Sequence, residues 1–258
     1  MFNFNTPRAK DDALRSRITQ IRECSSAEAL NHLLAELAAD AAFDHYQLNL
    51  FLPSGLLQSN LSIFSHEPSD WLDYYWSNQL VVDDPLVKLS FRLSQPILWD
   101  EIGEYEKNLS ANASAVMALR SEYGMAEGMT LPIHSGQGHH GMMHLSRREA
   151  NGELLTTLEL ISPLLPYLFN KACDLLTPPH PRLSDREREC LFWVSEGKTS
   201  WEAARILGIT ERTVNFHLNS AIRKTGCKNR YQAIARNVAA GQLRPDMQRL
   251  NITRIVKA

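Results

Sequence analysis

Residues 211 to 224 carry amide and guanidinium side chains on one side of a predicted helix. Val214, Leu218 and Ala221 recur at helical spacing, so they and Ile222 should face a small core. The opposite side suits nucleic acid, because amides and guanidinium groups form paired hydrogen bonds with base edges and cations bind phosphates. That side holds Arg212, Asn215, Phe216, Asn219 and Arg223, flanked by Thr213, His217 and Lys224.

Start and stop signals of short helices surround this segment, between residues 183 and 243. Ser184 followed by Glu187 forms a Ser-x-x-Glu capping box. Glycine ends helices because it accepts the left-handed conformation. Four short helices with a helix-turn-helix at their centre are therefore predicted, although a helix bundle with a polar surface would give similar signals. The predicted starts are Ser184, Thr199 or Ser200, and Thr210, and the predicted stops are Gly197 and Gly208.

A second group of residues, near the middle of the chain, could bind a small molecule. Trp71 and Tyr75 lie four residues apart on a predicted helix, so both rings can point to the same place, and Asp84 begins the next segment. A carboxylate near two aromatic rings can accept from a ligand N–H while an indole N–H donates to a carbonyl. Aromatic residues at helical spacing are also typical of a core, and an Asp before Pro85 is typical of a helix cap.

Neither catalytic chemistry nor a metal site is predicted. His134, His139, His140 and His144 lie close together in sequence, but paired cysteines or carboxylates at the usual zinc spacing are missing. The chain has no nucleophile elbow, P-loop or GxGxxG sequence. An enzyme with an attached DNA-binding module is therefore disfavoured, and no cofactor is expected.

The charge of the chain is unevenly distributed. From Arg182 onward there are 15 Lys and Arg residues against 7 Asp and Glu, a formal charge of +8, whereas residues 1 to 181 have 12 against 22, a charge of -10. This asymmetry separates an end that binds nucleic acid from an end that avoids it.

The cysteines and the hydropathy pattern indicate a cytoplasmic protein that does not bind membranes. The four cysteines are isolated, which favours a reducing compartment. The N-terminus lacks the apolar core of a signal peptide, and no run approaches the roughly 18 apolar residues of a membrane span.

The remaining segments predict the elements that position these groups. The sequence switches between helical spacing and the alternation typical of strands, with clustered prolines near residue 180. Two hairpin turns are predicted, at 52 to 57 and at 135 to 139. Helices are predicted at 11 to 23, 26 to 42, 69 to 80, 84 to 94, 104 to 123 and 151 to 176, and strands at 45 to 52, 60 to 65, 128 to 134 and 140 to 146.

This order of elements predicts an α+β protein. An N-terminal α-β-α sandwich would form a ligand-binding domain, followed by an all-α four-helix helix-turn-helix domain. The expected boundaries are 1 to 176 for the first domain, which also dimerises, 177 to 183 for a stiff proline-containing linker, 184 to 241 for the second domain and 242 to 258 for a tail.

The whole chain resembles the LuxR-type quorum-sensing regulators. Members of this family join an acyl-homoserine-lactone-binding domain to a LuxR/GerE-type helix-turn-helix. The resemblance runs from about residue 15 to residue 241. Nine characteristic residues match in type and spacing: Trp71, Tyr75, Asp84, Pro85, Trp99, Gly128, Glu187, Leu191 and Gly197.

The resemblance implies roles for the first-domain residues. Trp71 would donate to the lactone carbonyl, Asp84 would accept from the amide N–H, and Tyr75 and Trp99 would wall the pocket. The signal is then a small autoinducer, an acyl-homoserine lactone or a related molecule. The expected ligand-binding residues are Glu67, Trp71, Tyr75, Asp84, Trp99, Thr130 and His144.

Two of these positions depart from the family's pattern. Glu67 replaces a Tyr whose hydroxyl usually donates to the acyl carbonyl, and His144 replaces a Ser or Thr near the same carbonyl. One hypothesis is that Glu67 and His144 hydrogen-bond across the pocket, favouring a ligand with an extra polar group. The alternative is that Glu67 points to solvent at the start of a helix.

The resemblance also implies a homodimer that places two recognition helices in successive major grooves of a palindromic site. Asn215 and Asn219 would face base edges, Arg212 and Arg223 could bind bases or phosphates, and Thr213 lies beside them. An activator would also need RNA polymerase as a partner. A same-fold regulator that is ligand-independent or answers a non-lactone signal remains the alternative. The expected phosphate-binding residues are Lys198, Thr199, Lys224 and Lys228.

Overall fold

The computed structural model describes residues 7–53, 59–105, 110–135, 139–150, 154–177 and 181–243. It divides into two compact units, one ending at Pro179 and the other beginning at His180. The first unit combines helices with an antiparallel sheet and the second is helical. The predicted fold class is therefore confirmed.

The first unit is built on a five-stranded antiparallel sheet in the order β2-β1-β5-β4-β3. The shortest strand, β3, was not predicted, because two residues are too few for a visible alternation. Both predicted hairpin turns fall largely outside the described residues. The strands are β1 His45–Pro53, β2 Ser59–Ser65, β3 Ile97–Leu98, β4 Glu127–His134 and β5 His140–Arg147.

Helices cover both faces of this sheet. Their amphipathic faces supply most of the two apolar clusters of the unit. Among the described residues, no helix is long and apolar enough to cross a membrane. The helices are α1 Pro7–Glu23, α2 Ala27–Asp40, α3 Ser69–Ser77, α4 Pro85–Ser90, α5 Ile102–Tyr105, α6 Ala111–Glu122, α7 Leu154–Ile161 and α8 Leu165–Leu176, with a short 3-10 helix at Leu80–Val82.

The two faces of the sheet differ in chemistry because side chains alternate along each strand. Leu48, Met129 and Leu145 belong to the large apolar core that α1, α2, α7 and α8 complete. The other face lies under α3, α4 and α6 and carries buried polar groups. Register places Gln47, His144 and Thr130 in one row across β1, β5 and β4.

Two predicted long helices are each interrupted. The segment 104 to 123 includes the end of α5 and all of α6, and Ser110 caps α6 by accepting from the backbone N–H of Ala113. The segment 151 to 176 contains α7 and α8. Pro163 lacks the N–H that a continuing helix needs, so α7 ends at Ile161 and a new helix begins at Leu165.

The described part of the second unit, residues 181–243, contains four helices whose ends are fixed by local capping. Ser184 and Thr199 each form a capping box, and Thr210 accepts from the backbone N–H of Thr213. Gly208 adopts a φ of 66° between the second and third helices, a left-handed conformation that favours glycine. The predicted helix-turn-helix is thereby confirmed. The helices are α9 Asp185–Ser195, α10 Ser200–Leu207, α11 Glu211–Lys224 and α12 Arg230–Ala239.

Candidate ligand site and nucleic-acid interface

Seven residues were predicted to bind a ligand. The structure brings all of them together where α3, α4 and α6 pack on the polar face of the sheet. Hydrogen bonds, ring contacts or ion pairs connect them, and every one is buried. An eighth residue, Arg120 of α6, lies at their centre. Its guanidinium carbon is 5.1, 5.8 and 5.2 Å from the ring centres of Trp71, Tyr75 and Trp99.

Asp84 is the most connected carboxylate of this site. One oxygen accepts from Arg120 Nη2 at 2.6 Å and from the Tyr75 hydroxyl at 2.8 Å. The other caps α4 by accepting from the backbone N–H of Leu86 at 2.9 Å. Asp84 therefore combines two predicted roles, since it begins the helix and also faces the aromatic rings.

Glu67 points into the site and not to solvent, so the solvent-facing alternative is wrong. Its Oε2 accepts from Trp71 Nε1 at 3.1 Å, and its Oε1 lies 3.9 Å from Arg120 Nη1. The hypothesised hydrogen bond between Glu67 and His144 is also wrong for this structure, because His144 is bonded to Thr130 instead. The nearby cation of Arg120 attracts the carboxylate, which explains why Glu67 turns inward.

Trp99, Thr130 and His144 form the other side of the site. The Thr130 hydroxyl accepts from Trp99 Nε1 at 3.0 Å and shares a 2.8 Å hydrogen bond with His144 Nδ1. Gly128 allows Trp99 to lie against β4, because a Cβ atom there would be 2.8 Å from the indole. This close approach explains why glycine, which has no side chain, occupies position 128.

Burial and the Arg120 charge set the ionisation of the site. Burial raises the pKa of Glu67 to about 7, although Arg120 and the Trp71 N–H oppose that rise. Burial also disfavours ionised Asp84, but Arg120 holds its pKa below the ordinary value. Burial, reinforced by Arg120, lowers the pKa of His144 to about 3. Near neutral pH the site therefore contains a charged Arg120–Asp84 pair, a neutral imidazole and a Glu67 close to its titration point.

Arg120 was not predicted as a site residue, although the sequence contained a signal for it. It follows Ala113 and Val116 at helical spacing, and all three are buried on one side of α6. An arginine on an apolar face needs a buried partner, because an unpaired charge there is strongly unfavourable. The segment was instead interpreted as a long polar helix.

Two other histidines of the sequence cluster, His134 and His140, lie elsewhere on the sheet, and His139 directly precedes β5. His140 is sandwiched beside Phe51 and Phe91, with its Nε2 3.2 Å from the Ser90 hydroxyl and its Nδ1 3.3 Å from His134 Nδ1. Burial, followed by the proximity of His134, lowers the pKa of His140 to about 4. The part of the chain that is described contains no group of three residues able to hold a metal ion.

In the second unit, α11 separates a buried side from an exposed one. Val214, Leu218 and Ala221 are buried in the core of the unit. Arg212, Asn219 and Arg223 are exposed, and so is 62 % of Phe216.

Two of the predicted DNA-binding residues on α11 are held by hydrogen bonds near its start. Asn215 is half-buried because its Oδ1 accepts from the Ser200 hydroxyl at 2.8 Å. The Thr213 hydroxyl bonds that of Thr210 at 2.8 Å.

The predicted phosphate-binding residues fall into two groups. Lys198 and Lys228 are exposed, and no described residue bonds their ammonium groups. Thr199 is exposed but its hydroxyl is engaged with Glu202 in capping α10. Lys224 donates to Glu187 Oε2 at 2.9 Å, so its ammonium already has an anionic partner.

Two family models match the chain, one in each unit. The model described as "Autoinducer binding domain" covers residues 26–172, and the model described as "Bacterial regulatory proteins, luxR family" covers residues 181–236. The transcriptional activator protein AhyR of Aeromonas hydrophila is 34% identical over 96% of this chain and 98% of its own length. The activator LuxR of Aliivibrio fischeri is 30% identical over 90% of this chain and 95% of its own length.

Solved structures share the fold. SdiA of Escherichia coli superposes with a TM-score of 0.73 at 22% identity, covering 91% of this chain and 99% of that one. A second SdiA structure, in complex with octanoyl-rac-glycerol, also has a TM-score of 0.73, at 24% identity and with 93% and 98% coverage. At these identities the structural likeness bears on the fold alone.

Proposed function

Because the chain belongs to the LuxR family of quorum-sensing transcription regulators, with an autoinducer-binding domain and a helix-turn-helix, we propose that it binds promoter DNA in response to a small signal. The signal is an acyl-homoserine lactone or a related acyl compound. The observation that carries this proposal is the convergence of seven expected ligand-binding residues in one buried cluster. A buried polar cluster walled by aromatic rings is typical of a small-molecule site.

The signal would bind between α3, α4, α6 and the polar face of the sheet. Trp71, Tyr75 and Trp99 supply aromatic walls, whereas Glu67, Asp84, Thr130 and His144 supply hydrogen-bonding groups. Residues 1 to 176 form the proposed signal-binding and dimerisation domain, 177 to 183 the linker, and 184 to 241 the DNA-binding domain, followed by a tail.

The DNA would be read by the exposed side of α11. Asn215 and Asn219 bind base edges, and the exposed ring of Phe216 suits a thymine methyl group. Arg212 and Arg223 reach bases or adjacent phosphates. In the proposed homodimer two such helices bind half-sites about one helical turn apart in a palindromic sequence. The phosphate contacts are assigned to Lys198, Thr199 and Lys228, with Lys224 as a weaker candidate.

Selection of binding sites from a random DNA library tests the DNA-binding half of this proposal. The full chain should enrich a palindrome, and Asn215→Ala should lose preference at one symmetric base pair. Glu196→Ala, an exposed change outside α11, is the matched control. An unchanged sequence preference in Asn215→Ala would remove this residue from base recognition.

A second candidate function, DNA binding without a signal, is favoured by one observation. The N–H of Trp71 and the carboxylate of Asp84 already have partners within the chain. Comparing soluble yield and DNA affinity with and without octanoyl-homoserine lactone separates the two candidates. Equal yield and equal affinity with and without any of a panel of acyl signals would favour the signal-independent regulator.

A further inference from the structure

Internal partners satisfy the two groups that the family resemblance assigns to the ligand. Trp71 Nε1 donates to Glu67, where a lactone carbonyl was expected, and Asp84 accepts from Arg120, where an amide N–H was expected. Glu67 and Arg120 thus take the place of the two ends of an acyl-homoserine lactone head group. A ligand must therefore bind to the atoms of Glu67 and Arg120 that these internal hydrogen bonds do not use.

Three atoms leave hydrogen-bonding capacity open in this cluster. Glu67 Oε1, Arg120 Nε and Arg120 Nη1 are buried, and none has a hydrogen-bond partner among the described residues. The Glu67 and Arg120 side chains are only 1% and 2% exposed. Buried polar atoms are almost always paired in folded proteins, so three such atoms in one cluster indicate a missing partner.

The geometry of these atoms specifies the missing partner. Arg120 Nη1 and Glu67 Oε1 are 3.9 Å apart, too far for a direct hydrogen bond but close enough for one oxygen to lie between them. A hydroxyl in that position would accept from Nη1 and donate to Oε1. Arg120 Nε donates along a different edge of the planar guanidinium group, so it can bind a second acceptor of the same ligand, such as a carbonyl oxygen.

The polar face of the sheet adds to this pattern. The side-chain oxygens of Asn49 and Ser146 are also buried without a hydrogen-bond partner among the described residues. Both residues lie on the strand positions that face the site, since they alternate with Leu48 and Leu145 of the opposite core. An oxygen-rich ligand would meet several of these groups at once.

The charges of the site favour a neutral ligand. The Arg120 cation is balanced by Asp84, which accepts from it at 2.6 Å. Burial lowers the pKa of His144 to about 3, so this imidazole supplies no further positive charge. Burial raises the pKa of Glu67 to about 7, so this carboxyl is partly anionic near neutral pH and would repel a second anion. A ligand carboxylate would therefore enter a buried site that has no cation to spare.

We propose that Arg120 and Glu67 bind the head group of the signal, and that this head group is neutral and carries a hydroxyl beside the acyl carbonyl. The inference rests on the proposed signal-binding function and names the chemical class of its ligand. Arg120 is thereby a specificity-determining residue of the site. A site built to bond a hydroxyl rejects an analogue that lacks it, because the buried groups are then left unpaired.

Matched ligands test the proposal on the purified full chain. Octanoyl-glycerol has an acyl carbonyl next to free hydroxyls, ethyl octanoate has the carbonyl alone, and octanoate is the anion. Titration calorimetry should give octanoyl-glycerol an affinity at least about tenfold higher than that of ethyl octanoate, as expected for hydrogen bonds to charged groups. Equal affinities, or preferred binding of octanoate, would overturn the proposed ligand class and leave signal dependence intact.

Conservative variants assign that preference to the two residues. Glu67→Gln keeps an oxygen for Trp71 Nε1, and Arg120→Lys keeps a cation for Asp84, so both preserve the main internal contacts. In each variant the hydroxyl preference should fall to less than about threefold, whereas Asp73→Asn on the exposed side of α3 should keep it. A preference that survives both variants would overturn the role of Arg120 and Glu67.

Octanoyl-homoserine lactone serves as the reference ligand. If it binds and raises DNA affinity as strongly as octanoyl-glycerol, the proposed function stands and this inference is wrong. If none of the four molecules binds although DNA is bound, the proposed signal dependence is wrong and this inference fails with it.

Discussion

A buried glutamate lies at the centre of each unit, and the two have opposite surroundings. Glu187 accepts from the backbone N–H of Ser184 at 2.8 Å, from the Ser220 hydroxyl at 2.7 Å and from Lys224 at 2.9 Å. Burial alone would raise the pKa of Glu187, but these bonds lower it to about 2. Glu67, in contrast, has one donor for Oε2 and none for Oε1, and burial raises its pKa to about 7.

Under our proposal, this difference separates a carboxylate that holds the fold together from one that binds a ligand. The partners of Glu187 are Ser184, which caps α9, and Ser220 and Lys224 of α11, so its bonds hold α11 against the start of α9. Glu67 keeps acceptor capacity inside a buried site, and its neighbour Arg120 keeps donor capacity. Both positions are glutamates with a nearby cation, but only the incomplete hydrogen bonding marks a place for a ligand.

The largest expected effect is that of removing Arg120, the cation of the candidate ligand site. Arg120→Ala leaves the Asp84 carboxylate fully buried without a positive partner, which should lower the free energy of unfolding by about 3–5 kcal/mol. Urea denaturation followed by tryptophan fluorescence measures this. Arg92→Ala, which removes an exposed arginine in the same unit, should change stability by less than about 0.5 kcal/mol. A loss below about 1 kcal/mol in Arg120→Ala would contradict a charged buried pair.

Removing the saturated glutamate should have a smaller effect. Glu187→Ala loses half of the capping box and two further hydrogen bonds, and should lower the free energy of unfolding by about 2 kcal/mol. The partly exposed Lys224 can return to water, which limits the loss. The matched control is Glu189→Ala, since Glu189 lies on the same helix with a side chain that is only partly covered and pairs at the surface with Arg186. Equal losses of stability in the two variants would show that the hydrogen bonds of Glu187 do not stabilise the packing of α9 against α11.

The two glutamates should also produce opposite dependences of stability on pH. The folded-state pKa of Glu67 lies near 7, above its ordinary value of 4.5, so its contribution is most favourable at low pH and is lost as pH rises from about 4.5 to 7. The folded-state pKa of Glu187 lies near 2, so its contribution is complete above about 4.5 and is lost as pH falls towards 2.

Differences between wild type and the Glu67→Gln and Glu187→Gln variants isolate these contributions. The subtraction is needed because burial lowers the pKa values of His140 and His144, which makes the first unit lose stability as pH falls below about 6.5. Chemical denaturation at several pH values gives the two differences. If both had the same sign of slope, the distinction between the two carboxylates would fail.

The smallest expected effect distinguishes Lys224, whose ammonium is bonded to Glu187, from Lys228, whose ammonium is proposed to bind a DNA phosphate. Lys228→Ala should reduce the slope of log affinity against log salt by about 0.9, as expected for one lost phosphate contact. Lys224→Ala should change that slope less and stability more, because its ammonium is bonded to Glu187. Fluorescence anisotropy at several salt concentrations measures both slopes. A full loss of one contact in Lys224→Ala alone would mean that DNA displaces Glu187 from this lysine.

The sequence was sufficient where structure depends on neighbouring residues. Ser184 and Thr199 cap helices through contacts three residues away, and Gly208 ends a helix by its own conformation. The seven ligand-site residues came largely from the matched spacing of a known family. Their convergence follows from the sheet register and from α3 and α4 lying beside it, which the order of elements already implied.

The sequence was insufficient where a contact joins distant segments. Arg120 and Asp84 are 36 residues apart, and no local pattern connects an arginine on one helix to the cap of another. The direction of Glu67 depends on that same arginine, so both alternatives for it stayed open. Pro163 is a local signal of the break between α7 and α8, because proline has no backbone N–H, but the predicted helix 151 to 176 ran through it.

If α11 reads DNA as proposed, the hydrogen bond between Ser200 and Asn215 restricts which bases this helix can distinguish. Because Ser200 already uses one lone pair of its oxygen, Asn215 is expected to present mainly its N–H groups, which suit the acceptors O6 and N7 of guanine or O4 of thymine. Adenine presents the N6 donor beside the N7 acceptor. No described residue bonds the side-chain amide of Asn219, so its oxygen can accept from N6 while its N–H donates to N7. Asn215 and Asn219, which lie one helical turn apart, would therefore recognise different bases of the operator although they are the same residue type.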